Sequence, residues 1–127
     1  MLLAEDEPLS QEVVALLLVD AGLCPVLVAN GQVALERARD GGYDLISMDV
    51  QMPDMDGLDA TRAIRRLPGM ADVPILAMTA NAFDEDRDRC LAAGMSDHIG
   101  KPVLPETFYR SLLRWLRVRR GSDGAKP

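Results

Sequence analysis

Short apolar segments alternate along the chain with segments of helical periodicity, and the alternation repeats five times. A helical pattern follows each apolar segment, so the elements are expected in the order β–α, five times over. This alternation predicts a parallel sheet covered by helices on both faces. The strand-like segments are LLA (2–4), CPVLVA (24–29), YDLISMD (43–49), PILAMTA (74–80) and SDHIGKP (96–102), the last holding a short fifth strand.

Residues with strong capping preferences indicate where the helices begin and end. Pro8 and Pro105 suit the first turn of the first and last helices, and Gly22 is a fitting stop for the first. Asn30 and Asn81 are candidate caps of the second and fourth helices. Helical spacing within the first helix is carried by Val13, Leu16, Leu17 and Asp20.

The third and last helices have clearer apolar stripes. Leu58, Ile64 and Leu67 recur at helical spacing in the third helix, whose arginines are expected to be exposed. The stripe of the last helix consists of Phe108, Leu112, Trp115 and Leu116. Beyond it the segment GSDGAKP is small and polar. We therefore expect one domain over residues 1–120 and a flexible C-terminal tail over 121–127.

Length and charge restrict the classes of protein that fit this chain. Its 127 residues suit one domain that buries a core without disulfides or metals as staples. The formal net charge of −6 opposes binding to the phosphates of nucleic acid, so no direct nucleic-acid partner is expected. No apolar run approaches the roughly 18 residues of a membrane span. We therefore expect no membrane partner.

The N-terminal residues and the cysteines favour a cytoplasmic location. The opening MLLAEDEP carries charge too early for a secretory signal. Cys24 and Cys90 lack metal-ligand spacing, and we expect two buried or half-buried thiols in a reducing cytosol. His98 is the only histidine, which excludes zinc sites built on several histidines.

Polar residues follow the strand-like segments at the point where ligands bind in open α/β sheets. Glu5 and Asp6 come after the first strand, and Asp49 ends the third. The fourth strand ends at Thr79, and the fifth leads into Lys101. Three carboxylates brought together repel one another unless a cation lies among them. Oxygen ligands indicate Mg²⁺, with Mn²⁺ able to take its place.

The same residues suit phosphoryl transfer. Lys101 and Thr79 supply an amine and a hydroxyl opposite the acids, which is a receptacle for phosphoryl oxygens. A carboxylate is itself a competent nucleophile and gives an aspartyl phosphate. Asp49 is the best candidate for the nucleophile, because it is the acid that stands alone at the end of a central strand. The pair Glu5–Asp6 suits metal binding.

These motifs resemble the receiver domains of two-component response regulators. The resemblance covers Leu2 to about Arg120 and depends on four motifs in order, LLAEDEP, DLISMDVQMPDMDG, MTA and GKP. It implies a flavodoxin-like doubly wound (βα)5 fold, a three-layer sandwich with strand order 2-1-3-4-5. The wording LLAEDEPLSQEV, MTANAF and DHIGKP is most similar to receivers of hybrid sensor histidine kinases.

The resemblance assigns roles to the acids. Asp49 would be the phosphoacceptor for a phosphohistidine. Asp6 and Asp49 would ligate Mg²⁺ directly, Glu5 would act through water, and the backbone carbonyl of Gln51 would complete the protein ligands.

The resemblance also assigns roles to the residues around the phosphoryl group. Thr79 and Lys101 would contact phosphoryl oxygens, and Ala80 would leave the entry to the site open. The bond between Lys101 and Pro102 is often cis in the family. Asn81 would flank the site and, together with Gln51, tune the lifetime of the phosphoryl group.

The resemblance also implies a conformational switch on phosphorylation. This switch would involve Thr79 and the residue three positions before Lys101. The family often has Tyr or Phe there, whereas this chain has His98. In the family, Thr79 would move toward the phosphoryl group while this side chain turns inward. Phosphorylation would thereby alter the face formed by the fourth strand, the fourth helix and the fifth strand, and so control a partner or output domain.

The implied partners are a histidine kinase or a histidine phosphotransfer domain, and a homodimer through the fourth helix, fifth strand and last helix is a further expectation. Such a domain is not an enzyme acting on other substrates, since it catalyses only its own phosphorylation and dephosphorylation. A free-standing receiver, a module of a hybrid kinase and a part of a longer regulator all remain open.

Other functions fit the residues less well. DMDG resembles the motif of aspartate-nucleophile phosphatases of the haloacid dehalogenase type, but Asp54 follows Met52–Pro53, which is not the end of a central strand. An EF-hand loop fails at two ligand positions, Met52 and Ala63. We interpret Asp54 and Asp56 as turn residues, with Asp56 capping the next helix and Gly57 giving the backbone freedom.

Overall fold

The computed structural model describes residues 1–40, 43–50, 56–79, 84–100 and 103–124, with backbone alone for 84–86 and 117–124. Its strands are β1 (Leu2–Ala4), β2 (Val26–Val28), β3 (Ile46–Asp49), β4 (Ile75–Thr79) and β5 (Asp97–Gly100). Its helices are α1 (Pro8–Asp20), α2 (Gly31–Asp40), α3 (Gly57–Arg65), α4 (Asp84–Ala93) and α5 (Pro105–Gly124). Strands and helices alternate in the order that the sequence predicts.

The five strands form one parallel sheet in the order β2-β1-β3-β4-β5. This confirms the doubly wound topology and places the reversal of strand order between β1 and β3. The register pairs Ala4 with Met48, and Asp49 with Met78. The carboxyl ends of β1, β3 and β4 are therefore nearly level, so the residues that follow them meet at one edge of the sheet.

Alternate residues of the strands enter two separate cores. In β4, Ile75 and Ala77 belong to the core formed with α2, α3 and α4, whereas Leu76 and Met78 belong to the core formed with α1 and α5. This alternation is the period of a pleated strand whose two faces are both covered. Phe108 of α5 is fully buried in the second core. The result is the three-layer sandwich expected from the sequence.

Side-chain caps confirm the predicted starts of two helices. Asn30 Oδ1 accepts a hydrogen bond of 2.9 Å from Val33 N at the start of α2. Asp56 Oδ1 accepts one of 2.9 Å from Asp59 N at the start of α3. Glu7, whose side chain accepts from Leu9 N and Ser10 N, caps α1. Each cap satisfies amide groups that have no partner within the helix.

The buried face of α1 differs from the residues that carry its helical spacing in the sequence. Val14 and Leu18 are buried, but Val13 and Leu16 are 42% and 61% exposed. The helix is apolar on nearly all sides, so periodicity alone does not determine which side packs on the sheet.

One further expectation differs from the structure. Cys24 is exposed, and only Cys90 is a buried thiol. This follows from the position of Cys24, which precedes the edge strand β2 and is not within it. Helix α5 extends through Gly124, past the expected end of the domain at residue 120. Residues 125–127 lie outside the described residues, and the division between domain and tail stays a prediction.

Candidate functional site

The first acid of the site is fixed by its backbone. Glu5, directly after β1, is 2% exposed. Its N–H donates to the carbonyl of Val28 at 3.0 Å, and its carbonyl accepts from Gln11 Nε2 at 3.2 Å. These bonds hold the residue between the neighbouring strand and α1. Asp6 follows it and is exposed, so the pair presents one buried and one solvent-facing carboxylate.

The central acid lies at the end of β3. Asp49 is 4% exposed and pairs in register with Met78 of β4. The next residue, Val50, donates its N–H to the Met78 carbonyl at 2.9 Å and accepts at its own carbonyl from Gly57 N at 2.9 Å. The backbone around Asp49 is thus held by β4 on one side and by the start of α3 on the other.

Glu5, Asp6 and Asp49 converge as predicted. One carboxylate oxygen of each lies within 4.8 Å of the other two. Two of these carboxylates are buried, where the repulsion between like charges is weakly screened. A set of oxygen donors at this spacing fits a hard divalent cation such as Mg²⁺. The charge of the cation would also remove the repulsion.

Thr79 occupies the end of β4 and is 6% exposed. Its register partner is Gly100, the residue directly before Lys101 in the sequence. The strand order therefore places Gly100 one strand away from Thr79 and two strands away from Asp49. Several predicted site residues lie outside the described residues, namely Gln51, Ala80, Asn81, Lys101 and Pro102, as does Asp54.

His98, the predicted switch residue, lies in the edge strand β5 opposite Ala77. Its side chain is partly buried, and Nε2 is buried with no hydrogen-bond partner within the described part of the chain. An unpaired buried nitrogen destabilises the conformation that contains it. The structure thus places this imidazole in an unfavourable environment at the position where the sequence predicts a switch.

The carboxylate of Asp97, next to His98 in the chain, was not predicted from the sequence to have a role. Asp97 Oδ2 accepts hydrogen bonds from Ser111 Oγ at 2.7 Å and Trp115 Nε1 at 2.8 Å, and Oδ1 accepts from His98 N at 2.8 Å. Burial alone raises the pKa of Asp97. The hydrogen bonds from Trp115, Ser111 and His98, with the charge of Arg114, outweigh burial and hold that pKa below its usual value. Asp97 therefore joins β5 to α5.

Comparison with known proteins identifies the family of this site. The family model described as "Response regulator receiver domain" matches residues 1–112. The chain belongs to the response regulator receiver domain family. The strand order β2-β1-β3-β4-β5 of this receiver domain agrees with that family.

Its relatives include a histidine kinase and a sensor protein, and it matches a small part of each. The chain is 40% identical over 111 residues to the signal transduction histidine-protein kinase BarA of Escherichia coli, covering 87% of this chain and 12% of BarA. It is 36% identical over 118 residues to the sensor protein GacS of Pseudomonas syringae, covering 91% of this chain and 13% of GacS. The receiver domain thus spans only about an eighth of these relatives.

Solved receiver structures have the same fold. The receiver domain of the sensor histidine kinase PA1611 from Pseudomonas aeruginosa is 43% identical, with a TM-score of 0.85 over 91% of this chain and 94% of that chain. That structure contains a magnesium ion coordinated in its active site cleft. The chemotaxis protein CheY4 of Vibrio cholerae is 32% identical, with a TM-score of 0.84 over 89% and 94% of the two chains.

Among the described residues, no helix combines the length and the apolar character that a transmembrane helix needs.

Proposed function

We propose that this receiver domain accepts a phosphoryl group on Asp49 from a phosphohistidine, in a reaction that requires Mg²⁺. The observation that carries the proposal is the group of three carboxylates, two of them buried, whose oxygens lie within 4.8 Å of one another. Asp6 and Asp49 would hold the cation directly, Glu5 would act through water, and the backbone carbonyl of Gln51 would complete the set. Mn²⁺, which also prefers oxygen ligands, substitutes for Mg²⁺.

The chemical step is a transfer between two nucleophiles. A carboxylate oxygen of Asp49 attacks phosphorus, the P–N bond of the phosphohistidine breaks, and the imidazole nitrogen retains the electron pair and takes up a proton. When bound between these acids, the cation would supply positive charge against the phosphoryl oxygens and Asp49. Thr79 and Lys101 donate hydrogen bonds to the same oxygens. The protein thus contributes mainly position and charge.

The donor is a histidine kinase or a histidine phosphotransfer domain. The relation to BarA and GacS supports a place within a phosphorelay, because BarA is a signal transduction histidine-protein kinase and GacS is a sensor protein. Phosphorylation changes the face formed by β4, α4 and β5, through Thr79 and His98. That face then controls a partner, an output domain or a homodimer through α4, β5 and α5.

Labelling with a small phosphodonor tests the proposal. Incubation with acetyl phosphate and Mg²⁺ is expected to add one phosphoryl group, stable in acid and labile in base, detected by intact mass spectrometry. Asp49→Asn is expected to remain unlabelled. Asp56→Asn is the matched control, because Asn also caps helices well and Asp56 lies at the start of α3. Equal labelling of Asp49→Asn and the wild type would remove Asp49 from its role.

A further inference from the structure

A small cleft lies between β5 and α5, and we call it the β5–α5 cleft. It occupies about 190 Å³. Thr107, Arg110 and Arg114 line it from α5, and their spacing of three and four residues places them along one side of that helix. Pockets for drug-sized ligands occupy roughly 300–1,000 Å³, so this cleft suits a smaller molecule.

The charged groups of the β5–α5 cleft leave it positive. Among the lining residues that the structure describes, the guanidinium groups of Arg110 and Arg114 are opposed by one carboxylate, that of Asp97. The whole chain, by contrast, has a formal net charge of −6. A concave positive site on an acidic protein attracts anions where the rest of the surface repels them. The charge of the cleft therefore favours an anionic ligand.

The carboxylate of Asp97 is already used to join β5 to α5. Its Oδ2 accepts hydrogen bonds from Ser111 Oγ at 2.7 Å and Trp115 Nε1 at 2.8 Å, and its Oδ1 accepts one from His98 N at 2.8 Å. These bonds fix the carboxylate against the helix and use most of its capacity as an acceptor. Asp97 thus supports the wall of the cleft.

The two arginines keep donors available for a ligand. Arg110 Nη2 donates to Glu106 Oε1 at 3.0 Å, and both side chains of this pair are largely exposed, so the pair is weak. The Arg114 guanidinium lies over the Trp115 ring, 5.2 Å from its centroid. A guanidinium group has several N–H donors, and one surface ion pair or one ring contact occupies few of them.

We propose that the β5–α5 cleft binds a small molecule that carries a phosphate group, with the phosphate between Arg110 and Arg114. A guanidinium group pairs with phosphate through its planar fork, and two forks one helical turn apart engage different oxygens of one tetrahedral group. Thr107 Oγ1 donates to a further oxygen. A carboxylate has only two oxygens, so this set of three donor groups fits a phosphate.

This cleft is separate from the site of phosphoryl transfer. Glu5, Asp6 and Asp49 do not line it, and β4 lies between β5 and the strand that carries Asp49. Binding in the cleft involves no covalent step. The phosphate-carrying ligand therefore binds whether or not Asp49 accepts a phosphoryl group.

The fluorescence of Trp115 tests the proposal, because Trp115 is the single tryptophan of the chain and lies against Arg114. Inorganic phosphate and glycerol 3-phosphate are titrated separately at constant ionic strength in EDTA, where the three site acids repel anions. Isothermal titration gives a second measure of affinity. We expect saturable binding with a dissociation constant below about 1 mM. Tighter binding of the ester would assign a phosphorylated metabolite, and equal binding would assign free phosphate.

Variants of the two arginines locate the binding. Arg110→Gln and Arg114→Gln each remove one fork and are each expected to raise the dissociation constant by about tenfold or more. Arg62→Gln is the matched control with no expected change, because Arg62 is an exposed helical arginine of α3 that is likewise paired with an acid.

Glu106→Gln is expected to tighten binding. It removes the acid that competes with the ligand for Arg110, so the dissociation constant should fall by about twofold to fivefold. A merely structural role of Arg110 would not produce this gain. Asp59→Gln is the matched control, since it releases Arg62 in the same way and should leave the affinity unchanged.

Three outcomes would overturn the proposal. They are the absence of saturable binding of either probe up to about 10 mM, an affinity that Arg110→Gln and Arg114→Gln leave unchanged, and an equal loss of affinity in Arg62→Gln. A change in self-association in Arg110→Gln and Arg114→Gln, without a change in phosphate affinity, would assign these arginines to a homodimer interface instead. Failure of Asp49 to be labelled by acetyl phosphate would leave the phosphate site standing.

Discussion

Gly57, the first residue of α3, lies directly against the backbone carbonyl of Asp49. A Cβ on Gly57 would overlap that carbonyl oxygen and approach Met48 Cγ to 3.0 Å. The Gly57 N–H also donates to the Val50 carbonyl at 2.9 Å. The start of α3 therefore supports the strand end that carries the proposed phosphoacceptor, and the contact leaves no room for a side chain.

Gly57→Ala is expected to destabilise the domain and to disturb the metal site. The added methyl group must displace either α3 or the end of β3, at a cost of about 1–3 kcal/mol in the free energy of unfolding. Because the displaced strand carries Asp49, Mg²⁺ affinity measured by isothermal titration should fall as well.

Gly69→Ala is the control, since a Cβ there meets nothing within 4 Å although its φ is +80°. It should lose some stability to backbone strain but keep its Mg²⁺ affinity. Unchanged Mg²⁺ affinity in Gly57→Ala would contradict the role of this contact.

The convergence of the three acids could be predicted from the sequence. The reason that a glycine is required at position 57 could not. Strand ends in a parallel sheet meet at one edge, so Glu5, Asp6 and Asp49 could be brought together from the β–α alternation alone. Gly57 was expected to free the backbone of a turn. The structure gives it no positive φ, and close approach to Asp49 is the constraint instead. Such an approach depends on how α3 packs, which local sequence does not encode.

Removing one site acid is expected to stabilise the metal-free domain. Asp6 is exposed, so Asp6→Asn costs little packing while it relieves repulsion with Glu5 and Asp49. In EDTA its free energy of unfolding should exceed that of the wild type by on the order of 1 kcal/mol. Adding Mg²⁺ should raise the melting temperature of the wild type and leave Asp6→Asn nearly unchanged.

The control for this prediction is Asp44→Asn, an exposed acid outside the carboxylate group. It should behave as the wild type does in both EDTA and Mg²⁺. A metal-free Asp6→Asn protein less stable than the wild type would show that the three carboxylates do not repel one another appreciably.

Acid should weaken the connection between β5 and α5. The folded pKa of Asp97 lies below its ordinary value, so the unfolded chain binds this proton more readily than the folded one. Its stabilising contribution is fully present above the unfolded pKa of about 3.9 and is lost as pH falls through the lower folded pKa. Urea unfolding from neutral pH down through this window measures the loss.

Trp115→Phe isolates the share of this effect that depends on one hydrogen bond. The indole donates to Asp97 Oδ2 at 2.8 Å, and its removal should cost about 1–2 kcal/mol at neutral pH. The difference between variant and wild type should shrink as Asp97 is protonated. Tyr109→Phe alters another aromatic residue of α5, one that is not among the groups lowering the pKa of Asp97, and should show a difference independent of pH in this window. A Trp115→Phe difference that stays constant down to acid pH would contradict the assignment.

Arg65 and Asp97 make hydrogen bonds that could not be predicted from the sequence. The arginines of α3 were expected to be exposed, yet Arg65 is half-buried, and two of its partners, Gly94 and Ser96, lie 29 and 31 residues away. Likewise Asp97 meets donors 14 and 18 residues along the chain. Composition and periodicity describe neighbours along one element, whereas these bonds form only after α3, α4 and α5 have packed on the sheet. The prediction that α3 exposes its arginines was therefore wrong for Arg65 and right for Arg62, which is paired with Asp59 at the surface.

Arg65→Met is expected to be among the most destabilising changes at a residue that is not apolar. Its Nη1 donates to the carbonyls of Met70 at 2.9 Å and Val73 at 2.6 Å, and Nε donates to the Gly94 carbonyl at 2.8 Å. Methionine retains much of the apolar stem but leaves these acceptors unpaired, at a cost of about 2–4 kcal/mol in urea unfolding. Arg66→Met, at the exposed neighbouring position, should change stability by less than about 0.5 kcal/mol. Similar losses in the two variants would show that the buried bonds of Arg65 contribute little.

His98→Phe is expected to stabilise the unphosphorylated domain. Nε2 of the imidazole is buried and finds no hydrogen-bond partner among the residues that the structure describes, and phenylalanine removes this polar atom while keeping a planar ring. Relief of the unpaired group should raise the free energy of unfolding by about 1 kcal/mol. Ser47→Ala provides a parallel case, because Ser47 Oγ in β3 is buried and has no hydrogen-bond partner in the described part of the chain either, so its removal should also not destabilise. Labelling of Asp49 by acetyl phosphate should persist in His98→Phe, since the side chain lies in β5 and not in the carboxylate group. A loss of stability in His98→Phe, with Ser47→Ala unaffected, would mean that the imidazole makes a favourable interaction that phenylalanine lacks.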